Sequence, residues 1–156
     1  MKKKVLGISF GRKMGNTDVM IKAALMECEK AGHEVQFIRA DDLDIKACTG
    51  CISCVVGMTT GRGKGGCPLK DDMHIIDEAL MECDAVIAGS PTYVLSPTGR
   101  FKTVCDRIGP SHDITFRKAT FDEGIKAGKP VDQLPDKRSF KKRVGALLSV
   151  GGAMTE

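Results

Sequence analysis

Cys48, Cys51, Cys54 and Cys67 lie in the stretch CTGCISCVVGMTTGRGKGGC. The first three are spaced C-x2-C-x2-C, which lets several thiolates turn towards one centre, as in iron–sulfur clusters. Gly50 eases that turn. Zinc takes similar pairs, but structural zinc sites more often combine two separated pairs or add histidine. His33, His74 and His112 all lie outside the stretch. Redox thiols, packing and disulfides are the other fates open to these residues. Cys28, Cys83 and Cys105 read differently: the first and last fall on predicted inward helix faces and Cys83 precedes an apolar strand, so all three read as small core hydrophobes.

Three further segments have ligand chemistry. SFGRKMGNT, residues 9–17, joins an apolar run to a predicted helix start, where free backbone N–H groups and the helix dipole favour an anion. Arg12 and Lys13 add positive charge, and Ser9, Asn16 and Thr17 add donors. The segment matches neither a P-loop nor the G-x-G-x-x-G fingerprint; its plain alternative is a turn capped by Thr17. GSPTYVLSP, residues 89–97, holds the only tyrosine and offers backbone amides and an apolar edge to a flat ring. Gly151-Gly152 would let a ligand approach the backbone closely.

The elements that position these segments follow from periodicity. Val5–Phe10 reads as a strand buried on both faces. A helix follows from Thr17, with Ile21, Ala24, Leu25 and Cys28 at helical spacing and Gly32 as its stop. Glu34–Arg39 alternates as a second strand. Asp71 or Asp72 caps a helix to about Met81, with Met73, Ile76 and Leu80 on one face. Asp84–Gly89 is a third buried strand ending in the 89–97 turn. Pro97–Ile108 reads as a helix with Phe101, Cys105 and Ile108 inward, and Val144–Val150 as a fourth buried strand. Residues 109–142 give no core element and carry a basic cluster at Lys137, Arg138, Lys141, Lys142 and Arg143, the ordinary mark of a solvated face.

This alternation predicts an α/β doubly wound parallel sheet in the order 2-1-3-4, with helices on both faces. The expectation is one domain over 1–156, with a cysteine-rich loop at 48–67 and an irregular basic insertion at about 109–142. A last helix and strand usual in such sheets are expected to be missing from this chain. All three ligand segments fall at strand carboxyl ends, where open parallel sheets bind ligands.

Composition narrows the classes. At 156 residues, 42% hydrophobic and 28% charged, the chain is an ordinary globular domain and not a disordered or collagen-like one. A net charge of +4 and few aromatics do not indicate nucleic acid. The apolar run after MKKK is too short for an export signal, and no segment has the length to span a bilayer. The expectation is a cytoplasmic protein, where thiols stay reduced.

SFGRKMGNT, CxGCxxC, KDDM, GSPTYVLSPTGRFKTVCDR and SVGG, in this order, resemble the flavodoxin-like NAD(P)H-dependent FMN reductases, most of all the iron–sulfur flavoproteins. The resemblance covers the chain except about 109–142. It implies FMN, with its phosphate at Ser9, Arg12, Gly15, Asn16 and Thr17 and its ring against Pro91, Thr92, Tyr93 and Val94, near Gly151 and Gly152. It also implies a [4Fe-4S] cluster on Cys48, Cys51, Cys54 and Cys67, exchanging electrons with FMN. The gap before Cys67 is longer than in the family, and Phe10 stands where a phosphate-contacting serine is common. NAD(P)H as donor, small-molecule or protein electron partners, and a homodimer or homotetramer are implied too. No side-chain acid–base catalyst is expected. The alternatives are a cluster-free NAD(P)H-dependent FMN or quinone reductase and, more remotely, a zinc-stabilised binding module using the 137–143 run.

Overall fold

The computed structural model describes residues 1–60, 67–112 and 143–151. They fall into two compact units. The first comprises Met1–Ile45, Asp71–Val104 and 143–151; the second comprises the described parts of Lys46–Lys70 and Cys105–Ser139.

In the first unit, strand β1 (Lys4–Ser9) leads to helix α1 (Asn16–Lys30) and strand β2 (Glu34–Arg39). A 3-10 turn, Ala40–Asp42, follows. Helix α2 (Ser53–Thr60) belongs to the second unit, and α3 (Met73–Glu82), β3 (Ala85–Tyr93) and the two-residue β4 (Ser96–Pro97) to the first. Helix α4 (Gly99–His112) begins in the first unit and ends in the second, and β5 (Val144–Val150) returns to the first. None of the described helices is long and apolar enough to cross a membrane.

β1 pairs in parallel with β2, from Lys4 opposite Glu34 to Ser9 opposite Arg39, and with β3, from Val5 opposite Ala85 to Ser9 opposite Gly89. β5 pairs in parallel with β3, from Ala85 opposite Val144 to Pro91 opposite Val150. The order β2-β1-β3-β5 is the predicted one, with β4 added antiparallel on β3. Every residue of β1 after Lys4 is buried, as a central strand covered on both faces requires.

Helix α1 forms where Gly15 caps a run with Ile21, Leu25 and Cys28 on one face, and it ends before Gly32, at φ +88°. Ile21 and Leu25 pack with Val5, and Cys28, Val35, Phe37, Ala85, Ile87 and Leu148 border them. Gly7 and Gly89 let the helix sit close to the sheet. A Cβ on Gly7 would lie 2.7 Å from Ile21 Cγ2 and from Leu25 Cδ1. On the other helices, α3 buries Met73, Ile76 and Ala79. Leu80, expected inward, is only half-buried, because the turn places Ala79 against the core.

Three expectations are corrected. β3 does not stop at Gly89: it runs to Tyr93 and turns back through Val94 and Leu95 into β4. Cys105 is exposed, and α4 buries Val104 and Arg107 instead, the Arg107 guanidinium donating to the Lys46 carbonyl at 3.0 Å. An arginine stem can line an interior while its head finds a carbonyl, which apolar spacing alone does not reveal. β5 is largely exposed, with Val144 and Leu147 open, and among the described residues it pairs only with β3.

Candidate functional site

The carboxyl ends of β1 and β3 are adjacent, joined by the Phe10 amide donating to the Gly89 carbonyl at 2.9 Å. The residue 9–17 loop and the β3–β4 hairpin therefore rise from neighbouring strands, as the parallel pairing dictates.

The first loop is rigid by construction. Gly15 N–H donates to the Arg12 carbonyl at 3.0 Å, and Met14 is held at φ +58°. Beneath it, Asp18 is fully buried and accepts from the Ser9 hydroxyl, from the Met14 amide at 3.1 Å and from Arg39 Nη1 at 3.1 Å. Arg39 in turn grips the half-exposed carboxylate of Asp42 through Nε and Nη2. Ser9 is wholly buried, donates to Asp18 and accepts from the Gly11 amide at 3.3 Å. It builds the loop from inside.

Thr17 is not the cap. Gly15 is, and it offers no side-chain hydrogen bond to the helix. Thr17 is buried, with its methyl and Cβ against the Gly89 and Gly11 positions. The amides of Asn16 and Thr17 open a helix of 15 residues with no intrahelical acceptor. Arg12, Lys13 and the Asn16 side chain are exposed beside them. Uncapped helix amides flanked by two cations make a candidate anion seat, and this donor set fits a phosphate.

The hairpin presents an apolar edge. Tyr93 is exposed and Val94 and Leu95 almost completely so. Val94 and Leu95 both sit in the left-handed region, at φ +48° and +61°, the two-residue turn that ordinarily selects Asn-Gly. A β-branched residue there is strained. Pro91 and Thr92 are half-buried in β3, where Thr92 Oγ1 and Ser149 Oγ hydrogen bond at 2.8 Å. Gly151 lies beside Thr92: a Cβ at Gly151 would stand 3.5 Å from the Thr92 Cβ, in ordinary contact. Gly152 lies outside the described residues. Behind the hairpin, Ser90 Oγ accepts from the Thr98 amide at 3.0 Å and anchors the return to α4. A separate hollow of about 240 Å³ lies at the opposite, amino end of the strands, among Lys4, Leu6, Gln36, Ala79 and Cys83.

The cysteine segment leaves the first unit after a tied stem. The Asp44 amide donates to Asp72 Oδ2 and the Asp72 amide to the Asp44 carbonyl, both at 2.9 Å. Arg100 Nη1 donates to the Ile45 carbonyl at 2.9 Å. In the second unit, Cys48, Cys51 and Cys67 are exposed and Cys54 is half-buried on the first turn of α2. Residues 53–60, expected as loop, are helical. Gly50 and Ile52 adopt φ +67° and +53° and turn the chain sharply around Cys51. Hydrogen bonding with Ser53, first through its side chain and then its backbone, and with the Thr49 side chain lowers the Cys51 thiol below its ordinary 9.0. Four thiols suit a soft metal or cluster. Among the described residues no three potential ligands stand gathered around one centre.

The family described as NADPH-dependent FMN reductase matches residues 4–156. The chain belongs to this family. An iron-sulfur flavoprotein of Archaeoglobus fulgidus is 40% identical over 99 residues, covering 64% of this chain and 42% of its own length. Flavone synthase cfoJ of Aspergillus candidus is 35% identical over 157 residues, covering 96% of this chain and 46% of its own. Among solved structures, a flavone reductase matches at TM-score 0.68 and 28% identity, over 97% of this chain and 44% of that one. The NAD(P)H:quinone oxidoreductase of Methanothermobacter marburgensis, at TM-score 0.60 and 15% identity over 99% of this chain and 86% of its own, shares the fold. The chain spans about half the length of the curated relatives it matches.

Asp18, Arg39 and Asp42 are not legible as site residues in the sequence. Asp18 reads there as an ordinary acid in a first helical turn, and Arg39 as an alternating strand residue. Their meeting depends on the β1–β2 register.

Proposed function

We propose that this chain binds FMN in a flavin-dependent oxidoreductase, with the flavin phosphate on the residue 9–17 loop and the ring against Pro91, Thr92, Tyr93 and Val94, near Gly151 and Gly152. The observation that supports it is the uncapped start of α1, flanked by Arg12 and Lys13, on the strand next to the apolar hairpin. Arg12 and the amides of Asn16 and Thr17 would hold the phosphate, while Ser9 would act from beneath through Asp18. Tyr93 and Val94 would cover one edge of the ring and keep water from it.

The same proposal assigns Cys48, Cys51, Cys54 and Cys67 to a [4Fe-4S] cluster. The C-x2-C-x2-C spacing, the free thiols and the likeness to proteins named iron-sulfur flavoproteins support this. When bound, FMN and the cluster would supply the exchange between two-electron and one-electron chemistry. The chain's own residues bind, orient and shield. NAD(P)H or another small-molecule or protein donor, and a homodimer or homotetramer, belong to this reading.

A second reading is a cluster-free NAD(P)H-dependent reductase. It is favoured by the ungathered cysteines among the described residues. Anaerobic purification with iron, sulfide and flavin analysis separates the two. About four irons and four sulfides with FMN support the cluster; stoichiometric FMN without iron selects the second reading; absence of flavin overturns both. Unchanged iron in Cys67→Ser would remove Cys67 from the ligand set.

A further inference from the structure

Directly beneath the anion seat lies a negative charge. Asp18 has a side chain 1% exposed, and it occupies the first turn of α1, whose amides form the seat. It takes up the Met14 amide and the Ser9 hydroxyl, so two donors of the loop point inward, away from any phosphate. A buried carboxylate is poorly screened and opposes a dianion nearby. It also pins Met14 in its left-handed conformation, so the loop depends on it for shape.

Among the described residues, the cation that meets this charge is Arg39. It stands at the carboxyl end of β2, 10% exposed, and reaches Asp18 with Nη1, while its Nε and Nη2 close on Asp42. Register brings it there, because Arg39 is the β2 partner of Ser9. Arg39 is thus fixed by Asp42 from the solvent side and neutralises Asp18 on the buried side.

We propose that Arg39 sets the selectivity of the loop for a phosphorylated over an unphosphorylated flavin, by cancelling the buried charge of Asp18 and leaving the field of Arg12, Lys13 and the helix N-terminus to the phosphate. It is a specificity residue that does not touch the ligand. This rests on the FMN reading above and adds the residue that decides between FMN and riboflavin.

The test uses the full-length protein, its dissociation constants for FMN and riboflavin measured at pH 8 by flavin fluorescence quenching. In Arg39→Met the buried carboxylate is uncompensated, so FMN affinity falls tenfold or more while riboflavin affinity changes less than threefold. Asp18→Asn keeps an amide oxygen as acceptor and removes the charge, so the preference for FMN rises several-fold. The two variants move the ratio in opposite directions, which a purely structural role would not do. Arg39→Lys keeps the charge but loses the planar fork that reaches Asp18 and Asp42 together, so its ratio falls between those of the parent and Arg39→Met.

Equal weakening of both flavins in Arg39→Met, or an unchanged ratio in Asp18→Asn, overturns the assignment. If Arg39→Met does not fold, Asp18→Asn decides alone. A parent protein that binds neither flavin fails the underlying FMN reading, and that outcome is seen before any variant is made.

Discussion

Gly89→Ala tests whether the distance between α1 and the sheet governs both stability and the cofactor seat. The added Cβ would stand 2.8 Å from Ile21 Cδ1, 3.0 Å from Thr17 Cγ2 and 3.2 Å from Ile21 Cγ1. Carbon pairs are content at about 3.5–4.0 Å, so several tenths of an ångström must be found at each contact. Ile21 and Thr17 are both buried on α1, so either their side chains or the start of the helix must shift. Overpacking of this kind costs about 1–3 kcal/mol. The alanine recovers about 0.4–1 kcal/mol through the unfolded chain, leaving a net loss of about 0–2.6 kcal/mol. Ile21→Val deletes Cδ1, the nearest contact, and alone costs about 0.5–1.5 kcal/mol. The double variant is therefore more stable than the sum of the two losses predicts, by at least about 0.5 kcal/mol. Urea unfolding of the four proteins gives the coupling, and FMN titration of the same set should show affinity lost in Gly89→Ala and partly regained in the double variant. Additivity within about 0.3 kcal/mol would refute the claim that this contact sets the helix position.

Two further outcomes are expected. Replacing Val94 by Asn and Leu95 by Gly relieves left-handed strain at φ +48° and +61° worth about 1–2 kcal/mol per residue, so thermal stability rises while FMN affinity falls with the lost apolar edge. Burial, opposed by Arg143, raises the Cys83 thiol above its ordinary 9.0. The unfolded chain therefore releases that proton first, and the stability Cys83 contributes is intact below about pH 9 and lost as pH climbs through the folded value. Cys83→Ala should flatten the alkaline limb of a denaturation series relative to the parent; an identical limb would remove Cys83 from it.

Local sequence signals reached far into this fold. A strand buried on both faces reads as a nearly continuous apolar run, and Val5–Phe10 is one; helical spacing and Gly32 bound α1 nearly to the residue. Parallel order followed from element alternation, because right-handed crossovers leave few arrangements. The loops at the strand ends were legible for the same reason, since topology places them together wherever the strands run parallel. The hairpin was hidden because its turn residues, Val94 and Leu95, are ones that two-residue turns avoid. Cys105 and Arg107 were exchanged because period alone does not distinguish a buried arginine stem from a surface one.

By itself, then, the sequence determined the α/β alternation, the anion-attracting loop and the cysteine spacing, each of which is written in neighbouring residues. Tertiary structure alone decided which donors of that loop face outward. Ser9 and Thr17 look like ligands in one dimension, and packing turns both inward. Asp18 and Arg39 are 21 residues apart and look unrelated. The β1–β2 register sets Arg39 beside Ser9, and the buried carboxylate then has a partner. Long-range charge pairing of this kind has no local signature, because it arises from chain segments that meet only after the sheet has formed.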